Sequence, residues 1–363
     1  MQLYCVRMSQ LKNRPMKYFC LLPFLLFIQL VKAQDEPTRV LFLGNSYTAY
    51  NNLPQLVSDC AASAGFEMET GSNTPGGTTF QAHSQSATSQ SLIEQGDWDF
   101  VVLQEQSQIP SFPLSQVESE CFPFAETLNN QILESNECAE TVFYMTWGRE
   151  NGDAQNCPNW PPVCTYEGMD DLLSERYMTM AADNEAIVSP VGELWRVIRT
   201  NHPEIELYAS DGSHPSAIGS YAAAVAFFTT IFRADPTTIT FDFNLSADIT
   251  TVIKEEAKAL IFEQQAQWFI GTYDDPNGPC AAVSVPNEQS VQTEQVFGFI
   301  SNDQLVISNT EKIVDLEVYD VTGKLVIQRT NNFSNITLPS SNGVYLLHFT
   351  TTLGGARIQK VVR

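Results

Sequence analysis

A serine and an aspartate–histidine pair are the residues of this sequence whose types and spacing could carry nucleophilic chemistry. Ser46, in "LGNSYT", follows the apolar run "RVLFL". A serine hydroxyl attacks a carbonyl carbon only when a base removes its proton, and imidazole titrates in the useful pH range. Of the four histidines, only His214 has a carboxylate three residues earlier, Asp211 in "SDGSHPS". We therefore expect Asp211 to hold the imidazole through Nδ1 while Nε2 faces Ser46.

Each of these two motifs has an ordinary structural interpretation as well. An isolated Gly-Asn-Ser is more often a turn or a helix cap, and an aspartate before a helix is commonly an N-cap. Thr48 stands where the Gly-x-Ser-x-Gly elbow of α/β-hydrolases has its second glycine, which disfavours that fold. The catalytic interpretation depends on the two motifs occurring together on one sheet.

Two loops could supply hydrogen-bond donors for a developing oxyanion. The pair Gly76–Gly77 in "SNTPGGTTF" can expose a backbone N–H to a ligand, because glycine has no Cβ to block the approach. The stretch "FVVLQEQSQ" adds Gln104 and Gln106, whose side-chain amides can also donate.

Apolar runs of strand length alternate with helix-period stretches from residue 39 to about 272. Continuous runs such as "RVLFLG", "DFVVLQ" and "TVFYMTW" indicate strands buried on both faces, as in a mostly parallel sheet covered by helices. Ser46 would then lie at the carboxyl end of the first strand, where open α/β sheets bind ligands. "HPSAIGSYAAAVAFFTTIF" predicts a long buried helix with Pro215 at its first position.

The composition divides the chain into four segments. Residues 1–33 carry basic residues before the apolar run "YFCLLPFLLFIQLV", which predicts a signal peptide, and residues 34–274 form the α/β domain. Residues 275–291 are rich in Pro, Gly, Asn and Ser, as linkers are. Residues 292–363 contain short alternating strands, which predict a small antiparallel β-sandwich.

This last segment resembles the C-terminal sorting domain of type IX secretion in "VYDVTGKLV", "LPSSNGVYLLHF" and the terminal "KVVR". The resemblance implies contact with the secretion machinery, export across a bacterial outer membrane, and removal of the tail. The alternative is an immunoglobulin-like module that stays attached. Either way, we expect the protein to be secreted or held at the cell surface.

The blocks "LGNSYT", "PGG", "VVLQEQS" and "SDGSHPS" resemble, in this order, those of the SGNH (GDSL-like) hydrolases over residues 38–235. The resemblance implies a flavodoxin-like three-layer α/β/α sandwich without metal or cofactor, whose members hydrolyse esters. It assigns Ser46, His214 and Asp211 to a catalytic triad, and the N–H groups of Ser46 and Gly77 to the oxyanion hole. The chain departs from the pattern in one donor, because Gln106 stands where the family has an asparagine.

Three further residues could contact a substrate. Trp147 and Arg149, in "MTWGRENGD", follow the fourth strand, so the indole could stack on a sugar and the guanidinium could bind a carboxylate. The alternative places Trp147 in the core and Arg149 in a surface salt bridge. His83, in a polar loop, could also contact substrate.

Charge and cysteine content exclude some classes of partner and suggest an oxidising compartment. Removing residues 1–33, which hold five basic and no acidic residues, leaves 14 basic against 42 acidic residues, a net charge of −28. Such a surface repels nucleic acid and anionic membranes. Six cysteines remain, and an even number in an exported chain suggests disulfides. Cys157–Cys164 is the pairing we predict; Cys121 and Cys138, at opposite ends of one predicted helix, should pair elsewhere.

The hypothesis from sequence is therefore a secreted serine esterase that removes acyl groups, with acetyl the first choice, from carbohydrate. A lipid or thioester hydrolase is the alternative with the same chemistry. A surface protein that binds glycans without catalysis is the alternative of another class.

Overall fold

The computed structural model describes residues 36–274, residues 279–280 and, within 298–362, the strands with a few neighbouring positions. The predicted signal peptide and nearly all of the predicted linker lie outside these residues. Five parallel strands form the central sheet in the order β2-β1-β3-β4-β5. They are β1 (Thr38–Leu43), β2 (Met68–Asn73), β3 (Phe100–Leu103), β4 (Glu140–Tyr144) and β5 (Ile187–Ser189). This strand order is the flavodoxin-like order, so the predicted fold class is confirmed.

Ten α-helices connect and cover these strands in the described part of the α/β domain. They are α1 (Ser46–Ala49), α2 (Leu53–Ser63), α3 (Phe80–Gln85), α4 (Ala87–Ile93), α5 (Leu114–Glu120), α6 (Phe122–Ser135), α7 (Tyr166–Asp183), α8 (Val191–Asn201), α9 (Ala217–Phe232) and α10 (Ala247–Leu260). Helices α2, α8 and α10 pack against α9, and α3, α4, α5 and α7 pack against α6. β1, β3 and β4 are almost wholly buried between the helices, as their continuous apolar runs predict.

One helix, α9, begins later than the sequence predicts, and α10 ends in a tighter turn. Pro215 pairs with Tyr208 in an isolated β-bridge, so α9 begins only at Ala217, where the Ser216 hydroxyl accepts the Gly219 N–H at 3.1 Å. Helix α10 ends at Leu260, and the chain continues as 3₁₀ turns over Phe262–Trp268. There the Trp268 indole N–H donates to the Leu260 carbonyl at 2.8 Å, which satisfies a group left unpaired by the helix end.

The C-terminal strands form two antiparallel sheets, β10-β7-β6 and β12-β11-β8-β9. The strands are β6 (Gly298–Ser301), β7 (Gln304–Ile307), β8 (Ile313–Asp320), β9 (Leu325–Arg329), β10 (Ile336–Thr337), β11 (Val344–Thr351) and β12 (Ala356–Val362). Buried side chains of both sheets, Leu305 and Leu347 among them, share one hydrophobic cluster. This arrangement is the small β-sandwich that the alternating pattern predicts.

Four of the six cysteines in the α/β domain and the segment after it form disulfides. Cys157–Cys164 is confirmed, and Cys138 pairs with Cys280 across 142 positions of sequence. The expectation that Cys121 also pairs is wrong, because this thiol is buried and unoxidised, with its Sγ 3.6 Å from Sδ of Met180. Cys60 is likewise a buried free thiol.

Among the helices that the structure describes, none combines the length and the apolar character needed to cross a membrane.

Candidate active site

The structure brings Ser46, His214 and Asp211 into one hydrogen-bonded chain at the carboxyl edge of the central sheet. The Ser46 Oγ lies 2.9 Å from Nε2 of His214, and Nδ1 of the same ring lies 2.5 Å from Oδ2 of Asp211. Because a carboxylate only accepts, Nδ1 carries the ring proton and Nε2 is free to accept from the serine hydroxyl. The three groups are therefore placed as a nucleophile, a base and the group that orients the base.

Ser46 sits at the start of α1, directly after β1, on a turn that only a glycine at position 44 allows. A Cβ on Gly44 would lie 2.4 Å from Oγ1 of Thr48 and 2.9 Å from Oε1 of Gln104. The buried Asn45 caps α1 by accepting the Tyr47 N–H at 3.1 Å. This tight connection carries the Ser46 hydroxyl from the buried strand to the rim.

The loop that holds Asp211 and His214 is ordered by its own carboxylate. Oδ1 of Asp211 accepts the N–H groups of Ser213 and His214 at 3.0 and 2.9 Å, while Oδ2 takes the imidazole. Gly212 between them has φ +65°, the left-handed region that favours glycine. Partial burial raises the pKa of Asp211, but the hydrogen bonds from His214 and the two N–H groups outweigh it and lower the pKa to about 2. The carboxylate is therefore ionised at every working pH.

A column of aromatic rings supports this loop from below. Trp147 is stacked between Tyr47, at a ring-centroid distance of 4.8 Å, and Trp195, at 3.8 Å. Its indole N–H donates to the Ser213 carbonyl at 3.0 Å, and the Tyr47 hydroxyl lies 2.6 Å from the Ser213 hydroxyl. The proposed contact of Trp147 with substrate is wrong, because the side chain is fully buried. Its hydrogen bond instead positions Ser213, the residue before His214.

The glycine loop turns beside the nucleophile loop, to which it is tied by the Asn45 side-chain amide, a donor to the Thr78 carbonyl at 3.1 Å. Gly77 has φ +70°, and nothing lies within 4 Å of the position its Cβ would occupy. Neither the Gly77 N–H nor the Ser46 N–H has an acceptor among the residues that the structure describes. Both N–H groups therefore remain available to an oxyanion.

The two glutamines are placed differently from each other, and neither side-chain amide donates to Ser46. Gln104 is fully buried; its Oε1 accepts from the Asn45 N–H at 3.0 Å and from the Thr48 hydroxyl at 2.9 Å. Its Nε2 donates to the Glu105 carbonyl at 2.5 Å, so its assignment as an oxyanion donor is wrong, and it supports the nucleophile loop instead. Half-buried Gln106 accepts the N–H groups of Gln108 and Ile109, so its part in the hole stays a prediction.

His83 lies in α3 rather than in a loop and is fully buried, so its proposed contact with substrate is wrong. Its Nε2–H donates to the Gly44 carbonyl at 2.8 Å, and Nδ1 accepts from the Ser89 hydroxyl at 2.9 Å. Burial lowers the pKa of this imidazole, which keeps it neutral. The side chain thus anchors the turn before Ser46 from beneath.

Arg149 lies at the rim of the site. The neighbouring Glu150 N–H donates to the Gly212 carbonyl at 2.9 Å, which joins this segment to the loop that holds Asp211 and His214. The Arg149 guanidinium forms a salt bridge of 3.2 Å with Asp153. The arginine side chain is partly exposed, whereas the aspartate side chain is fully buried. Nε of Arg149 is buried without a hydrogen-bond partner in the described chain. Binding of an anionic substrate group by Arg149 stays a prediction.

Glu105 connects all three loops, and sequence reasoning missed it. Its fully buried carboxylate accepts the Phe80 N–H at 3.0 Å and the Gln106 N–H at 2.6 Å. Its backbone carbonyl accepts from the Asn45 side-chain amide at 3.3 Å. Burial raises the pKa of Glu105 to about 8 despite those bonds. A charged residue two positions after a wholly apolar strand was the available signal.

Within the residues that can be described, no three His, Cys, Asp or Glu side chains are grouped closely enough to hold a metal ion.

Comparison with known proteins agrees with two parts of this architecture. Residues 301–362 match the family described as the secretion system C-terminal sorting domain. No curated protein matches the sequence. A protein of the DUF4886 family from Bacteroides uniformis shares the fold, with 17% identity over 62% of this chain and 95% of its own, at a TM-score of 0.54.

Two further solved structures align with about half of the chain. A protein from Slackia heliotrinireducens, provisionally described as an SGNH hydrolase, is 27% identical over 54% of this chain and 99% of its own, at a TM-score of 0.45. The acetyl xylan esterase AlAXEase is 13% identical over 53% and 99%, at a TM-score of 0.41. The sorting-domain match indicates secretion to the cell surface or the medium. The chain thus joins an α/β domain of flavodoxin-like strand order, with the fold of the DUF4886-family protein, to a C-terminal sorting domain of a secretion system.

Proposed function

We propose that the protein is a secreted serine esterase that removes a small acyl group, acetyl as the first choice, from carbohydrate. The observation that carries the proposal is the hydrogen-bonded chain from Ser46 Oγ through His214 to Asp211, with contacts of 2.9 and 2.5 Å. Such a chain lowers the barrier to proton removal from the hydroxyl as it attacks an ester carbonyl.

The chemistry follows from these positions. His214 Nε2 takes the Ser46 proton as Oγ bonds to the carbonyl carbon, and the charge that forms on the carbonyl oxygen is met by the N–H groups of Ser46 and Gly77. The tetrahedral species collapses when Nε2–H protonates the departing alcohol oxygen, which leaves an acyl-serine. Water, deprotonated by the same nitrogen, then releases the acid and restores the hydroxyl.

The rim of the site favours a polar substrate over a lipid. Asp211 is about half exposed at 48%, and Arg149 and Glu150 are half-buried beside it. In the described part of the α/β domain, the exposed large hydrophobic side chains are Tyr50, Leu114, Leu133 and Tyr273. Single residues of this kind are ordinary on a surface and do not make a lipid-binding patch.

Labelling with a fluorophosphonate probe and acetate release from a panel of acetylated polysaccharides test the proposal together. We expect labelling that disappears in Ser46→Ala, and acetate release that falls by about 10⁴-fold or more in Ser46→Ala and His214→Ala. His202→Ala, which removes a partly exposed imidazole outside the triad, is the matched control for the loss of a histidine side chain. Absence of labelling together with retained glycan binding would favour the non-catalytic alternative.

A further inference from the structure

We propose that Tyr50 forms the wall of the site on the side from which the alcohol leaves, and that it selects esters of ring-shaped alcohols. The inference rests on the proposed esterase function and deepens it. The Tyr50 ring is stacked on the imidazole of His214, with ring centroids 4.3 Å apart and an interplanar angle of 18°. The same side chain is 40% exposed.

The backbone fixes this ring in place from two directions. The Tyr50 N–H donates to the Ser46 carbonyl, the last such bond of α1. The next residue, Asn51, donates its side-chain amide to the Ser216 carbonyl at 3.2 Å and to the Ser220 hydroxyl at 2.8 Å, at the start of α9. Asn51 has φ +52°, a left-handed conformation that turns the chain sharply after Tyr50. The ring is therefore held over His214 rather than free in solvent.

The position of His214 in the reaction assigns the side of the substrate that Tyr50 meets. Nε2 of His214 delivers its proton to the departing oxygen, so the alcohol portion of the ester lies beside the imidazole. Two tyrosines contact that imidazole: Tyr47, edge-on at 5.4 Å, and Tyr50. Tyr47 is only 2% exposed, which leaves Tyr50 as the one of the pair that a substrate can touch.

An exposed aromatic surface beside the leaving oxygen favours an alcohol with a flat apolar face. The C–H face of a pyranose and an aryl ring both offer such a surface, and an aromatic contact of this kind strengthens binding measurably. The acyl group points away from the leaving oxygen across the carbonyl carbon, so Tyr50 should affect selection of the alcohol and not of the acid.

The test compares kcat/KM of the full chain and its Tyr50→Ala variant on three esters. Methyl 6-O-acetyl-glucopyranoside and ethyl acetate differ in the alcohol, and ethyl acetate and ethyl butyrate differ in the acid. We expect Tyr50→Ala to lower the ratio for sugar acetate over ethyl acetate about three- to tenfold, with the acetate-to-butyrate ratio unchanged. Tyr50→Trp should restore the first ratio. Tyr273→Ala, which removes a tyrosine 39% exposed whose ring contacts Phe269, is the matched control.

The remaining outcomes distinguish a failure of this inference from a failure of the proposed function. An equal fall on all three esters in Tyr50→Ala, with the fold intact by circular dichroism, would assign Tyr50 to positioning His214 alone and overturn the inference. Unchanged ratios in an active variant would overturn it too. Wild-type protein without turnover on any of the three esters, and without fluorophosphonate labelling, would overturn the proposed function itself.

Discussion

The indole N–H of Trp147 donates at 3.0 Å to the backbone carbonyl of Ser213, the residue directly before His214. Trp147 follows β4, so this bond connects the core of the sheet to the loop that carries Asp211 and His214. The neighbouring Trp195, stacked on Trp147 at 3.8 Å, has an indole N–H that is buried without a partner among the described residues. The two tryptophans therefore belong to one ring stack, but only Trp147 donates a hydrogen bond to the loop of Asp211 and His214.

Trp147→Phe should lower kcat by about ten- to a hundredfold with KM nearly unchanged, because the Ser213 carbonyl loses its donor and the loop shifts. The ring stack is kept, so the protein should still fold. Steady-state kinetics on an acetyl ester measure the effect. Trp195→Phe removes an indole N–H that has no partner and should keep kcat within about twofold. A similar loss of kcat in both variants would show that the stack, and not the hydrogen bond, positions the loop.

Two substitutions of Glu105 should distinguish the loss of its hydrogen-bond acceptor from the loss of its charge. Glu105→Gln keeps an oxygen for the Phe80 and Gln106 N–H groups and should retain most activity. Glu105→Ala leaves both buried donors unpaired, which costs about 1–3 kcal/mol each, and should also lower kcat because the glycine loop and the nucleophile loop lose their common anchor. Urea denaturation and kinetics of the two variants measure these effects. Equal activity of the alanine and glutamine variants would contradict the anchoring role.

The same carboxyl predicts a pH dependence of stability. Burial raises the pKa of Glu105 from its ordinary 4.5 to about 8 in the folded protein, so the folded state prefers the protonated form. The free energy of unfolding should therefore decline as pH rises from about 4.5 to about 8, and change no further through this group above that range. Urea midpoints at pH 5 and pH 8.5 should differ less in Glu105→Gln than in the wild type. A wider difference in the variant would refute the assignment.

His83 should act in the opposite direction. Burial lowers its pKa below the ordinary 6.5, so the unfolded chain takes up a proton more readily than the folded one. The free energy of unfolding should then fall as pH drops below about 6.5. His83→Gln keeps a donor for the Gly44 carbonyl without titrating, and it should flatten the decline between pH 6.5 and pH 5. A decline as steep in His83→Gln as in the wild type would contradict the neutral state of His83 in the folded protein.

The two disulfides should contribute unequally to stability. In the chain-entropy description, Cys138–Cys280 closes a loop of 142 positions and stabilises by about 5 kcal/mol, whereas Cys157–Cys164, with a separation of 7, contributes about half of that. Cys138→Ser with Cys280→Ser should therefore lower Tm more than Cys157→Ser with Cys164→Ser. Calorimetry of the two double variants makes the comparison. The reverse order would mean that the short loop around Cys157 is the more critical one.

Sequence reasoning identified the elements whose patterns depend on burial. β1, β3 and β4 are continuous apolar runs because helices cover both faces, and α9 is apolar throughout because almost every residue of it is enclosed. β2 is an edge strand with half-exposed residues and the sequence "METGSN", so it carries no such run. In the sequence, its position between α2 and the glycine loop is the remaining signal.

At the site, residue type and order predicted which groups would meet, but not which way each side chain would point. Ser46 follows β1, and Asp211 and His214 precede α9; both elements have clear ends, and the three residues meet as expected. Trp147, Gln104 and His83 have the chemistry of ligand-binding residues, yet each is buried and supports a loop. Their orientation depends on neighbours distant in sequence, such as Trp195 for Trp147, and no local pattern contains that information.

The Cys138–Cys280 bond also bears on how the chain would mature. Cys280 precedes the sorting domain matched at residues 301–362, and its partner Cys138 lies two residues before β4. If a protease removes the tail by cutting anywhere after residue 280, the remaining C-terminal segment stays covalently joined to the α/β domain through Cys280. An exopeptidase that trims from that end would stop at the disulfide-bonded Cys280. The protein without its tail would therefore keep α10 while it is exposed to proteases in its surroundings.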